Sequence, residues 1–179
     1  LSKAFVKQFE EISLLIAESL GLTGIMDVEV IEHEGRLKVL EIDARLPSQT
    51  PAAVFWSTGT NMVALLGKLC LKAKIKTKPD EKRPRDVIYE HIGVSKEKIE
   101  VAGEHMMSRC GPLSCQQDFF GADEAITDYH PDRKSWRATM IYAGSDLNAV
   151  QQKRKTTLEN IRREFKCAVI RDTVPAVSS

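Results

Sequence analysis

At 179 residues the chain can bury one substantial core or two small lobes. Its 26 Lys and Arg against 25 Asp and Glu leave a formal charge of +1, which argues against general nucleic-acid affinity. A 42% hydrophobic content with 28% charge suits a soluble globular protein, and no apolar run reaches the ~20 residues that span a bilayer. Met62–Leu71 comes nearest, and Lys68 interrupts it.

Residues 3 to 20 place Phe5, Phe9, Ile12, Ile16 and Leu20 at spacings of three and four, the pattern of an amphipathic helix that Gly21 ends. The chain opens on Leu inside this helical pattern and shows no secretory leader, so it reads as the C-terminal part of something longer. Next come two β-branched runs, from Met26 and to Leu46, separated by His33-Glu34-Gly35-Arg36, the signal of a hairpin. On the second strand Glu41, Asp43 and Arg45 alternate with Leu40, Ile42 and Leu46. A three-residue loop (Glu34, Gly35, Arg36) sets Glu29 opposite Glu41 and Asp27 opposite Asp43; a two-residue loop pairs Glu29 with Leu40 instead.

A polar loop from Pro47 to Pro51 follows, and Met62, Leu65, Leu66 and Leu69 mark a helix from about Asn61 to Leu71. Residues 72 to 85 carry seven Lys or Arg and two Pro and read as an exposed, solvated connection. Beyond it Asp86–Ile92, Glu100–Met107 and Ser135–Tyr142 are strand-like, and Ala122–Ile126 suggests a short helix. A helix from Asp146 to Phe165, capped by Ser145, precedes a short strand at 166–171. Strands, a helix and one more strand make an α+β arrangement. The expected division is 1–75 and 84–172. Met26, Phe55, Trp56 and Trp136 are expected in the core.

Cys70, Cys110, Cys115 and Cys167 show no paired C-x-x-C spacing, so reduced thiols in a cytoplasmic protein are expected rather than a zinc site. The acidic hairpin is different. Like charges directly across a ladder repel, so four acids on one face suggest a cation held between them. Mg²⁺ suits such oxygens, taking one or two carboxylates and completing its shell with water and phosphates. Arg45 adds a guanidinium suited to a phosphoryl group. The bland alternative is a solvent-facing hairpin that carries charge, with Arg45 merely neutralising it.

Glu29, then Glu41 twelve positions on, then Asp43 and Arg45, resembles the metal-binding signature of the ATP-grasp superfamily, with Asp43 where Asn is usual. The segments Glu41–Pro51, Gly103–Met107 and Phe120–Tyr129 are similar to one branch, the ligases that join 3-methyl-D-ornithine to the ε-amine of L-lysine in pyrrolysine biosynthesis. That resemblance covers residues 1 to about 170. It implies the C-terminal half of an ATP-grasp fold, with an antiparallel sheet and packed helices. Residues 1–75 would be its C-terminal lobe with the metal and phosphate site, and 84–172 a smaller α+β region. It further implies ATP and two Mg²⁺ ions, with Glu29, Glu41 and Asp43 as ligands and Glu29 and Glu41 also contacting the metal-bound nucleotide. Arg45 becomes the catalytic residue. Ser48, Gln49, Thr50 and Glu104 become contacts to small amino-acid substrates. Glu104 and His105 have a second reading as a partly buried core pair. Asp123 and Glu124 would receive a substrate ammonium or cap the short helix. The glycine-rich lid, phosphate-contacting lysines and adenine hinge of the superfamily have no counterpart in this sequence, so an N-terminal half is needed. Two alternatives remain: another ATP-grasp ligase, such as one like the carbamoyl-phosphate synthase large chain, or a non-catalytic Mg-nucleotide-binding module. Oligomeric state is left open.

Overall fold

The computed structural model describes residues 2–74 and 85–172. The expected connection at 72–85 lies mostly outside them, as does the polar tail after Asp172. Two compact units emerge: one runs to Phe55 and resumes at Gly59, and the other takes Trp56–Thr58 and the described chain from Arg85 on.

The first unit begins with α1 (Lys3–Ser19), whose Ser2 hydroxyl accepts the Phe5 N–H at 3.3 Å. Strands β1 (Asp27–His33) and β2 (Arg36–Asp43) form an antiparallel hairpin. Gln8 of α1 ties the two together by accepting the Leu37 N–H at 2.9 Å. The turn holds two residues, not three: His33 pairs with Arg36, with Glu34 and Gly35 between them at φ 52° and 75°. Positive φ at both central positions is the twist-compatible hairpin turn, and Gly35 meets it without a steric penalty.

Helix α2 (Thr50–Thr58) starts inside the segment expected to be a polar loop. Pro51 stands in its first turn, where a missing N–H costs nothing, and Gly59 at φ 74° ends it. Phe55, expected in the core, is exposed. Helix α3 (Met62–Cys70) follows, its Asn61 side chain accepting the Ala64 N–H.

The second unit contains β3 (Asp86–Ser95), β4 (Lys98–Ala102), a 3₁₀ helix (Glu104–Arg109), β5 (Ser114–Gln117), β6 (Glu124–Thr127), β7 (Ser135–Gly144), α4 (Leu147–Phe165) and β8 (Val169–Asp172). The sheet order is β5-β6-β7-β3-β4-β8, antiparallel except where β8 runs parallel to β4. The expected antiparallel sheet is thus a mixed one. Alternate residues Ile92, Val94, Ile99, Val101, Trp136, Ala138, Met140 and Tyr142 bury one face, which packs with Val150, Leu158 and Ile161 of α4. Trp136 sits in this core, as expected, ringed by Phe119, Phe120, Tyr129 and Phe165.

Three local expectations change. Residues 104–107 form the 3₁₀ helix and not the end of a strand, because Met106 N–H closes back on the Gly103 carbonyl. Residues 122–126 belong to β6 instead of a short helix, since Glu124–Thr127 pair with both β5 and β7. Asp146, not Ser145, caps α4 by accepting the Ala149 N–H at 2.9 Å, and Ser145 donates to Asp146.

Buried charge fastens α4 to the sheet. Arg154 donates to Glu90 on β3 at 2.7 Å and to Asp172 on β8 at 2.8 Å. Burial pushes the Glu90 carboxyl up, and Arg154 offsets only part of that. Burial pulls the guanidinium the other way, yet the two carboxylates hold its pKa above the ordinary value. The expected outcome of Arg154→Ala is a loss of about 3 kcal/mol in urea unfolding, because it strands Glu90 without its cation. With its folded pKa above the unfolded value of about 4.3, Glu90 supports folding fully below that pH, and the support is lost as pH rises through the folded value. The Arg154→Ala defect therefore shrinks on acidification and is partly repaired by adding Glu90→Gln.

Candidate functional site

The hairpin of the first unit carries the charges that the sequence singled out. Glu29 pairs with Glu41 and Asp27 with Asp43, directly across the ladder. Because paired residues share a face, the four acids lie on one face of the hairpin. What allows this is a β-bulge. From the two-residue turn the register runs to Val30↔Val39, then skips Leu40, and resumes at Glu29↔Glu41. The same skip keeps Val28, Val30, Leu37, Val39 and Ile42 on the opposite face, although Leu37 and Ile42 differ in parity along β2. One extra residue thus brings Asp27, Glu29, Glu41 and Asp43 to one face, which Ile31 shares, while Glu32 lies on the face of the valines.

Arg45 lies just beyond β2 and donates to Asp43 at 2.5 Å. That contact neutralises part of the Asp27–Asp43 pair. Glu29 and Glu41 make no ion pair among the described residues, so their mutual repulsion is uncompensated. No three His, Cys, Asp or Glu side chains among the described residues converge into a ready-made metal cage. Mg²⁺ requires no such cage, since one or two carboxylates with waters and phosphate oxygens complete its shell. The donor set fits a hard divalent cation that arrives with a phosphate ligand.

Ser48 is exposed, Gln49 occupies the N-cap position of α2, and Thr50 is its first residue. All three follow Arg45 closely, so the hairpin and the α2 start form one stretch of the first unit. Glu104 belongs to the second unit, exposed in the 3₁₀ helix, as is its neighbour His105, which excludes the buried core pair. Burial lowers the His91 pKa, and the Glu104 charge partly opposes it. Asp123 is bound from within the protein. It accepts from Lys153 Nζ at 2.8 Å and from the Ala143 N–H at 2.8 Å, which leaves it fastening α4 to β7. Glu124 accepts from Gln117 at 2.7 Å. No helix of the described residues is long and apolar enough to cross a membrane.

No family model matches the chain. It is 44% identical over 163 residues to the 3-methyl-D-ornithine–L-lysine ligase of Methanosarcina mazei, covering 89% of this chain and 42% of that protein. The ligase of Methanosarcina acetivorans is 33% identical over 164 residues, covering 90% and 43%. That of Methanosarcina barkeri is 32% identical over 160 residues, covering 88% and 42%. The chain is a homologue of the 3-methyl-D-ornithine–L-lysine ligases. It spans about two fifths of the length of these curated relatives. Among solved structures it resembles N5-carboxyaminoimidazole ribonucleotide synthetase from Thermotoga maritima, with a TM-score of 0.50 and 18% identity, over 88% of this chain and 42% of that one. That likeness concerns the fold alone: α+β, as expected, matching part of that structure.

The uncompensated acids give a direct test that needs no ligand. Glu41→Gln should slow amide hydrogen exchange across β1 and β2, with a gain of about 0.2–1 kcal/mol for removing a like-charge pair. Asp43→Asn, which also discards the Arg45 contact, should gain less or nothing.

Proposed function

We propose that this chain is the metal- and phosphate-binding part of an ATP-dependent carboxylate–amine ligase, one that joins 3-methyl-D-ornithine to the ε-amine of L-lysine. The supporting observation is the hairpin: two acid pairs aligned across a ladder, with a guanidinium two residues beyond one of them. The homology to ligases of that specificity supports the substrates. On this reading residues 1–75 are the C-terminal lobe of the ATP-grasp domain and 84–172 a smaller α+β region. The activity belongs to the longer polypeptide, a cytoplasmic enzyme in which an N-terminal half supplies the rest of the nucleotide site.

A free carboxylate resists attack by an amine because oxide is too poor a leaving group. Transfer of the γ-phosphate to the donor carboxylate, with release of ADP, creates an acyl phosphate. The lysine ε-amine then attacks that carbonyl, and inorganic phosphate departs as the amide forms. Glu29, Glu41 and Asp43 would hold Mg²⁺, which supplies charge neutralisation where carboxylate and triphosphate approach. Arg45 can leave Asp43 for the transferred phosphoryl group, meeting charge as it develops. Ser48, Gln49 and Thr50 offer hydroxyl and amide groups to the donor amino acid, and Glu104 a carboxylate to a substrate ammonium.

With the remaining three fifths of the polypeptide present, Mg-ATP should yield ADP only when D-ornithine (standing in for the methylated donor) and L-lysine are supplied together. Arg45→Ala should lower kcat about a hundredfold, the usual cost of removing a group that stabilises developing charge. The 179-residue chain alone should release none. ADP release without lysine would remove the proposed acceptor, and release by the isolated chain would contradict the need for an N-terminal half.

A further inference from the structure

On the face of the second unit's sheet away from α4, the 3₁₀ helix overhangs a cavity of about 560 Å³. That volume lies within the range of small-molecule sites. None of the residues proposed above for catalysis or substrate binding lines it. Its floor is a row across three strands: Glu100 on β4, Gly93 on β3 and Arg137 on β7, each directly paired with the next. Strands lie ~4.8 Å apart, so the backbones of Glu100 and Arg137 stand roughly 10 Å from each other. Gly93 leaves the middle of the row without a side chain. A Cβ there would come within 3.4 Å of Met106 Cε, which marks how closely the 3₁₀ helix roofs this point.

The lining charges are unequal. Lys98, Arg109 and Arg137 face a single carboxylate, Glu100, in a chain whose overall formal charge is only +1. Lys98 already holds Glu100 at 2.6 Å. Neither Arg109 nor Arg137 makes an ion pair among the described residues. The nearby acid Asp128 is also committed. It accepts from the Arg133 guanidinium at 2.5 Å and from the Gly111 and Arg137 N–H groups at 3.0 and 2.7 Å. Two guanidinium groups without an ion pair therefore border a cavity whose lining carboxylate, Glu100, is held by Lys98, with Arg137 feeling only the charge of the committed Asp128 beside it; planar forks of this kind recognise carboxylate and phosphate oxygens.

We propose that this cavity is a second ligand site, for a small anion whose oxygens are held by Arg109 and Arg137. Glu100 acts as the limiter: it occupies Lys98 and subtracts one charge from the field that a bound anion feels.

The test titrates the intact 179-residue chain with sodium phosphate or with sodium succinate at constant ionic strength, with sodium chloride as control, following the amide resonances of Gly93 and its neighbours. Saturable shifts confined to this cavity are expected with at least one of the two, and the arm that saturates says whether phosphate or carboxylate is recognised. Arg109→Ala, on the exposed 3₁₀ helix, and Arg137→Gln should each weaken binding about tenfold, the loss of one charge-assisted hydrogen bond. Glu100→Gln should tighten it, a change of sign that general destabilisation cannot mimic. Shifts that fail to saturate with either anion, or that match sodium chloride, overturn the site. Equal binding by the arginine variants, or weaker binding by Glu100→Gln, does so too.

Discussion

A two-residue turn fixes the hairpin register at one end, and the pairing of Glu29 with Glu41 fixes it at the other. The two are offset by one residue, and Leu40 absorbs the offset as a bulge. Without that skip, strict alternation sends Ile42 to the face opposite Leu37 and Val39. With it, Asp27, Glu29, Glu41 and Asp43 gather on one face, and Val28, Val30, Val39 and Ile42 on the other. The electrostatic cost of the first gathering is what makes the hairpin suited to a cation: repulsion between Glu29 and Glu41 stands uncompensated, whereas Arg45 relieves the pair at Asp43.

Charge serves a different purpose in the second unit. Arg154 bridges Glu90 and Asp172 across β3, α4 and β8, though Glu90 Oε1 and Arg154 Nη2 stay buried without a partner among the described residues, and Asp123 with Lys153 joins α4 to β7. Asp128 gathers a guanidinium and two N–H groups. Burial raises the Asp128 pKa, but those three donors outweigh it and the carboxyl stays below its ordinary value. These are networks of opposite charges, whose members fasten elements. Glu29 with Glu41, and Arg109 with Arg137, are sets of like charges that make no ion pair among the described residues, although the Arg137 charge also acts on Asp128. That contrast separates residues that hold the fold from residues disposed to hold something else.

The acid pairing was legible in the sequence, though by a route that the structure replaces. A three-residue loop gives the observed pairs, and so does a two-residue turn with a bulge, since both add one residue to the second strand; residue types alone do not distinguish them. Helix α1 was legible because Phe5, Phe9, Ile12 and Ile16 repeat at helical spacing. Helix α2 was not. Its Pro51 reads locally as loop punctuation, yet the same ring fits a first helical turn. Strands β5 and β6 are four residues each, and Ser114-Cys115-Gln116-Gln117 has no period to detect; β6 forms on the edge that β7 offers, and β5 on the edge of β6. The cavity basic residues escaped notice because Lys98, Arg109 and Arg137 are far apart in sequence and only the sheet brings them to one rim.

The most direct test of the central claim uses Mn²⁺, an oxygen-preferring stand-in for Mg²⁺ whose unpaired electrons broaden nearby resonances. Added with ATP to the chain, it should broaden residues 27–29 and 41–43 before any others, and Glu41→Gln should abolish that preference. Broadening spread evenly over the chain, or centred in the second unit, would contradict the assignment of the paired acids as the divalent-cation site.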